Sequence, residues 1–224
     1  MPAEWVLALY IGAAHTLSGP VSVVQPERGT DFTLSHLPYK GRSFASPVYY
    51  AYRLSYFPTS ESAIGVEAEV IHLKVYADTR AATRIVGVYR HQPLDAEMRV
   101  GDIVQQFSIS HGLNLLLANA VARKAIGRNE DNQPRLQVLA RIGAGPTLPH
   151  AETKIDGVLH EGYELGRLAF QASAGVELRF LGPFAMGAEY KFTRTSQSLA
   201  IHQGKARGTF ATHHVVFGLA WHIE

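Results

Sequence analysis

The chain has 224 residues, a length that suits one domain, with 46% of them apolar and 18% charged. A net charge of +2 with histidine neutral gives no basic field of the kind nucleic acid attracts, so a nucleic-acid partner is not expected. The absence of cysteine excludes disulfides, thiol catalysis and thiolate metal sites together. No run approaches the roughly 18 apolar residues of a spanning helix. The N-terminal Met1-Pro2-Ala3-Glu4 has no basic segment followed by an apolar one, so an exported form is expected to have lost its leader, with Met1 in its place.

Period-two alternation recurs along the chain and predicts β-strands. Trp5, Leu7, Leu9 and Ile11 alternate with Val6, Ala8, Tyr10 and Gly12. Tyr50, Tyr52, Leu54 and Tyr56 then oppose Ala51, Arg53 and Ser55, and Ile64, Val66, Ala68 and Val70 oppose Gly65, Glu67 and Glu69. In a fourth segment Phe107, Ile109, Leu113, Leu115 and Leu117 are taken as the apolar face, against Ser108, Ser110, Gly112 and Asn114. A fifth sets Val138, Ala140 and Ile142 against Arg141 and Gly143, and a sixth sets Phe170, Ala172, Ala174 and Val176 against Gln171, Ser173 and Glu177. The seventh sets Phe184, Met186 and Tyr190 against Gly187, Glu189 and Lys191, and the eighth sets Val215, Phe217, Leu219 and Trp221 against His214, Gly218 and His222.

These strands run to roughly ten residues, the length that crosses a bilayer, whereas strands of soluble proteins average nearer five or six. Glu67, Glu69, Arg141, Glu177, Glu189 and Lys191 sit mid-strand opposite an apolar face. A soluble β-sandwich, the alternative, would leave those charges in water. A barrel in lipid turns the apolar face outward and pairs the charges inside. The connectors expected at 17–45, 58–62, 77–101, 124–134, 153–162, 181–183 and 196–207 alternate long and short, as periplasmic turns and extracellular loops do. Asn129-Glu130-Asp131-Asn132 reads as a solvated turn within the fourth of them. The C-terminal Phe217-Gly218-Leu219-Ala220-Trp221-His222-Ile223 is similar to the signal read by the barrel-assembly machinery, although it ends Ile-Glu rather than on an aromatic residue. The expectation is an all-β fold over 1–224, a single eight-stranded antiparallel transmembrane β-barrel with long extracellular loops, in the bacterial outer membrane.

On this topology His15, His72, His111, His150, His213 and His214 fall in one band at the extracellular rim. With Glu67, Glu69 and Glu152 such a band can hold a divalent metal or act as acid and base on a lipid headgroup. The competing reading is an internal network of paired lumen residues with no ligand. The rim cations Lys40, Arg42, Lys74, Arg80, Arg84, Arg167, Lys191, Arg194, Lys205 and Arg207 suit anionic lipid, and the long first and second loops suit protein partners.

Gly65-Val66-Glu67-Ala68-Glu69-Val70-Ile71-His72-Leu73-Lys74, Phe107-Ser108-Ile109-Ser110-His111-Gly112-Leu113-Asn114, Gly143-Ala144-Gly145-Pro146-Thr147-Leu148-Pro149-His150-Ala151-Glu152 and Ala188-Glu189-Tyr190-Lys191-Phe192-Thr193 resemble the outer-membrane β-barrel family that includes the rhizobial lipid A oxidase. The resemblance runs from about residue 60 to the C-terminus. It implies an oxygen-dependent oxidation of the proximal glucosamine of lipid A to an aminogluconate, with lipopolysaccharide or lipid A as partner. The chain has no flavin or nicotinamide fingerprint, so a metal held by histidine and carboxylate is the available redox centre. Under the resemblance His72, His111, His150 and Glu152 would ligate the metal, His72, His111 and Glu69 would transfer protons, and Lys74, Arg167 and Lys191 would hold lipid phosphate. The alternative is a non-enzymatic structural or interaction barrel that anchors partners at the membrane.

Overall fold

The computed structural model describes residues 2–127 and 135–223, so the turn expected at Asn129–Asn132 lies outside the described residues. Eight long strands form a closed antiparallel ring. They are β1 (Glu4–Thr16), β5 (Tyr50–Phe57), β6 (Ile64–His72), β10 (Val104–Ala125), β11 (Leu136–Gly145), β14 (Ala169–Leu181), β15 (Phe184–Ile201) and β16 (Gly204–Ile223), and β16 pairs back onto β1 from Trp5↔Ile223 to Thr16↔Thr212. No helix among the described residues is long and apolar enough to cross a membrane; the crossing is made by strands.

The faces settle sandwich against barrel. Leu9 is 46% exposed, Ile142 67%, Phe170 59% and Phe217 59%, while Glu67, Glu69, Glu189 and Lys191 on the opposite face of the ring's strands are buried. In water that arrangement would be backwards; in hydrocarbon it sets the apolar side chains against lipid and the charges where they can pair. Aromatic pairs, Trp5 on Tyr56 and Phe184 on Trp221, sit at the end of the ring that carries the termini, where an interfacial girdle belongs.

Inside the ring the buried charges are paired. Arg53 reaches Glu69 at 2.8 Å and Glu189 at 2.5 Å, Arg141 reaches Glu67 at 3.1 Å and Glu189 at 2.7 Å, and Lys191 bonds Glu69. Asn119 and Gln171 complete the carboxylates' hydrogen bonds. A second group near the periplasmic end joins Glu4 to Arg123 and to His222, whose other ring nitrogen meets Glu177 at 2.8 Å. The side chains fill the lumen, as an eight-strand ring requires.

Beyond the lipid belt the chain keeps folding, and here the expected loops are strands. Residues 17–45 contain β2 (Gly19–Gln25), β3 (Thr30–Leu37) and β4 (Tyr39–Lys40). Residues 73–103 contain β7 (Val75–Ala77), β8 (Ala82–Tyr89) and β9 (Gln92–Arg99). The strands β2–β3–β8–β9 extend a sheet from the upper half of β16. The residues expected as connector 153–162 form a hairpin of β12 (Thr147–Ile155) and β13 (Val158–Tyr163), turning at Asp156 and Gly157 with positive φ, and β12 pairs with β10. The loop expected at 196–207 is instead the tip of β15 and β16, reversing at His202 and Gln203.

This extension has an ordinary apolar core that includes Phe32, Leu34, Ile85, Phe107, Ile109, Leu113 and Phe210. The core corrects the face assigned to the fourth strand. Leu113, Leu115 and Leu117 point inward, buried to 4% exposure or less, and Leu116 takes the lipid side. Leu113 and Leu115 serve the extension's core, and Asn119 and Arg123, of the same parity, face the lumen.

Two substitutions test the inside-out arrangement. Leu9→Arg places a charge in mid-belt and is expected to cost about 2–4 kcal/mol, where a water-exposed site would be nearly neutral. Glu189→Ala removes a carboxylate shared by Arg53 and Arg141 and leaves three buried cations facing Glu67 and Glu69 alone, at an expected cost of about 3–5 kcal/mol. Equilibrium unfolding in lipid vesicles measures both, and a neutral Leu9→Arg overturns the lipid-facing assignment.

Candidate functional site

The site is built on an irregularity in β10. Its pairing with β12 runs Ile109↔Ala151 and then Leu113↔Pro149, so Ser110, His111 and Gly112 together face His150 alone. A bulge of this kind re-aims side chains while preserving the alternation on either side. Gly112 makes it possible: its φ is +108°, and a Cβ there would lie 2.4 Å from His72 Nδ1.

The bulge brings His111, His150 and Glu152 together, with one potential ligand atom from each lying within 4.8 Å of the others. His111 Nδ1 is 3.1 Å and His150 Nδ1 3.7 Å from Glu152 Oε1, and the two imidazoles meet edge to face at 4.6 Å. Gln106 donates to Glu152 Oε2 at 2.8 Å and Ser110 to Oε1, which orients the carboxylate. Tyr163 packs on the His150 ring at 4.4 Å. The His150 Nδ1 is buried without a hydrogen-bond partner, as a nitrogen reserved for a ligand would be. An ion at about 2.1 Å from each atom needs ligands some 3–3.5 Å apart. The exposed His111 side chain, on its bulge, can close that gap.

The remaining expected residues are placed as follows. His72 stays outside the cluster: it stacks on Tyr50 at 4.8 Å and its Nδ1 meets Asn114 Oδ1 at 2.9 Å, with Nε2 buried and unpartnered. Glu69 and Lys191 are not at the rim; they bond each other in the lumen, fully buried. Lys74 donates to the carbonyls of Ala45 and Ser46 at 3.1 and 2.8 Å, anchoring a loop instead of presenting its charge. Burial lowers its pKa, and the neighbouring Arg42 guanidinium adds to the effect. Arg167 is exposed on the outer face. Of the other rim histidines, His15 and His213 pair on the outward face, and His214 is buried inside with Thr193. Gln106 and Tyr163 were not anticipated. The Asp156-Gly157 turn, a hairpin signal flanked by alternating residues, would have placed Tyr163 opposite His150.

The depth of the cluster matters as much as its composition. Leu116 and Leu148 are exposed at the upper margin of the lipid belt, and His150 follows Leu148 by two residues, about 7 Å along the strand. The cluster therefore lies on the outward face at the level of lipid headgroups.

A closed ring with an apolar exterior, a charge-paired lumen and elaborated outer loops defines the class: this is a bacterial outer-membrane β-barrel protein. The chain matches no described protein family and no curated protein. Among solved structures it is similar to Ail, the attachment invasion locus protein of Yersinia pestis, solved with the heparin analogue sucrose octasulfate, at 11% identity and TM-score 0.43 with 100% of each chain covered. It is similar also to the outer membrane protease OmpT of Escherichia coli, at 5% identity and TM-score 0.49, covering 99% of this chain and 96% of that one. Neisserial surface protein A is a further likeness, at 10% identity and TM-score 0.41 with 99% of each chain covered.

Replacing Gly112 by alanine forces the bulge to move, because both φ and the His72 ring oppose a Cβ. Gly112→Ala is expected to lower affinity for added divalent metal by about tenfold or more, whereas Gly157→Ala, at a positive φ with open space around it, is not. Isothermal titration of the folded variants reads the difference.

Proposed function

We propose that this protein is a lipid A-modifying enzyme of the outer leaflet, in which His111, His150 and Glu152 hold a metal ion used for oxygen-dependent oxidation of the reducing-end sugar. The observation that carries this reading is the convergence of two imidazoles and one carboxylate on an open, outward-facing site at headgroup depth. That ligand set leaves coordination positions free and suits oxygen-activating iron, although zinc accepts it too. The metal would supply the redox chemistry; the protein's part is to hold it beside the bilayer and orient the carboxylate through Gln106 and Ser110. Lower on the ring and to one side of the site, across β1, β5, β6 and β10, Leu7, Tyr52, Leu54, Val70 and Leu116 line a shallow apolar groove of about 470 Å³ on the belt, which suits an acyl chain of the same lipid. The reaction balances if the sugar's C1 hemiacetal loses two electrons and two protons to oxygen, forming hydrogen peroxide and a lactone that takes up water.

The rigid extension, with its own core and the free-edged β9, supports the second reading of a barrel that anchors protein partners. One experiment divides the two. Protein purified in detergent is expected to retain about one metal ion per chain by elemental analysis and, with lipid A whose C1 phosphate has been removed to leave a free hemiacetal, to yield under oxygen a product heavier by one oxygen atom. Glu152→Ala is expected to lose both metal and product while remaining folded, because among the described residues Glu152 pairs with no lysine or arginine that its loss would strand. Unchanged lipid mass and no retained metal in the native protein overturn the enzymatic reading.

A further inference from the structure

A second outward-facing feature lies around the ring from the histidine cluster and shares no residue with it. Arg194 follows Phe192 by two residues on β15, so it stands just above the lipid belt. Arg207, on β16, pairs with Ser198, four residues further along β15 and about 13 Å higher. Arg167 lies between them and lines two adjoining clefts. One, of about 740 Å³, is lined by Arg167, Arg194, Leu168, Phe170 and Ser196; the other, of about 340 Å³, by Arg167, Arg207, Ser196, Thr209 and Ser22. Neither lining contains a carboxylate. Among the described residues none of the three guanidinium groups has a salt-bridge partner, whereas Arg84, exposed on the extension, is held by Asp95 at 2.8 Å.

The cradle is built rather than incidental. The Arg167 backbone N–H donates to Gln197 Oε1 at 3.1 Å, and its carbonyl accepts from Thr147 Oγ1 at 2.8 Å. Gly166 N–H bonds the Thr147 carbonyl at 2.9 Å, and Thr195 Oγ1 donates to the Leu168 carbonyl at 2.9 Å. The segment that carries Arg167 is thus tied to both β12 and β15. Three guanidiniums without a carboxylate partner thus line two adjoining clefts, and their chemistry is to take oxyanions in two parallel hydrogen bonds. The hydroxyls of Ser196 and Thr209 between them suit sugar hydroxyls, and Leu168 and Phe170, 55% and 59% exposed below, suit the first carbons of an acyl chain.

We propose that these clefts bind the phosphorylated sugar headgroup of an outer-leaflet glycolipid, with Arg194 and Arg207 at its two ends and Arg167 shared between them. The proposal needs the barrel but not the metal, and it assigns no catalytic role to the groove. An anion carrying phosphates at both ends of a disaccharide spans the arginines; a single free phosphate would engage one cleft.

The test uses the full chain in nanodiscs, with bound lipid counted by native mass spectrometry. Bis-phosphorylated lipid A is expected to be retained at least about tenfold more strongly than the same lipid after phosphatase treatment. The double variant Arg167→Gln, Arg194→Gln is expected to abolish that preference, Arg84→Gln to preserve it, and Arg167→Lys to recover only part, since lysine lacks the paired donors. These exposed substitutions leave the lumen network intact, and unchanged heat-modifiability on gels verifies folding. Equal retention of the two lipids, or a preference that survives the double variant, overturns the proposal. So does inorganic phosphate that displaces the lipid at equal concentration. Metal content measured on the same samples is expected to be unchanged, which separates failure here from failure of the enzymatic reading.

Discussion

The pairing of Arg53, Arg141 and Lys191 with Glu67, Glu69 and Glu189 is the constraint on which the rest of the molecule depends. A chain that turns its leucines and phenylalanines outward must put its remaining side chains inside a narrow ring, and an ion stranded there costs several kcal/mol. Each carboxylate here meets more than one donor: Glu67 takes Arg141, Ser55 and Asn119, and Glu69 takes Arg53, Lys191 and Gln171. Because neighbouring strands supply the partners, the network also fixes their register. Slipping any strand by one residue would send its charges into lipid.

The same network explains why so much of the ring was legible in the sequence. Alternation over ten residues is a strong signal, and a charge in the middle of it says which face is inside. Where the sequence reading went wrong, on β10, both faces are apolar: Leu113, Leu115 and Leu117 on one, Leu116, Ala118 and Ala120 on the other. Hydrophobicity carried no information there, and the odd-numbered Asn119 and Arg123 were the better guide because only the lumen can hold them. The strands beyond the membrane were missed for a different reason. β2, β3, β8 and β9 are of seven or eight residues with soluble-type alternation, which between long strands reads as loop. The turn at Arg90 and His91, both at positive φ, is a tight hairpin made without glycine, so the usual marker was absent.

The candidate site was legible by residue type but not by grouping. A band of histidines at one level follows from strand register alone, and register assigned His72, His111 and His150 equal standing. What separates them is the bulge at Ser110–Gly112, a local departure from alternation that no periodic argument anticipates. It advances His111 toward His150 and leaves His72 occupied with Tyr50 and Asn114.

Two kinds of core meet at this level. Below it the interior is ionic and the exterior apolar; above it the interior is apolar and the exterior wet. A strand that runs through both, as β10 does for 22 residues, changes the environment of each of its faces partway along without changing its alternation. At that crossing an outward side chain is neither in hydrocarbon nor in bulk water. Polar groups there can be exposed to the bilayer surface and still be held by neighbours, which is the condition for binding a headgroup. Both the His111–His150–Glu152 cluster and the arginine groove stand at this boundary, on different sectors of the ring. The depth at which the barrel exchanges one core for the other therefore sets where chemistry on a lipid is possible.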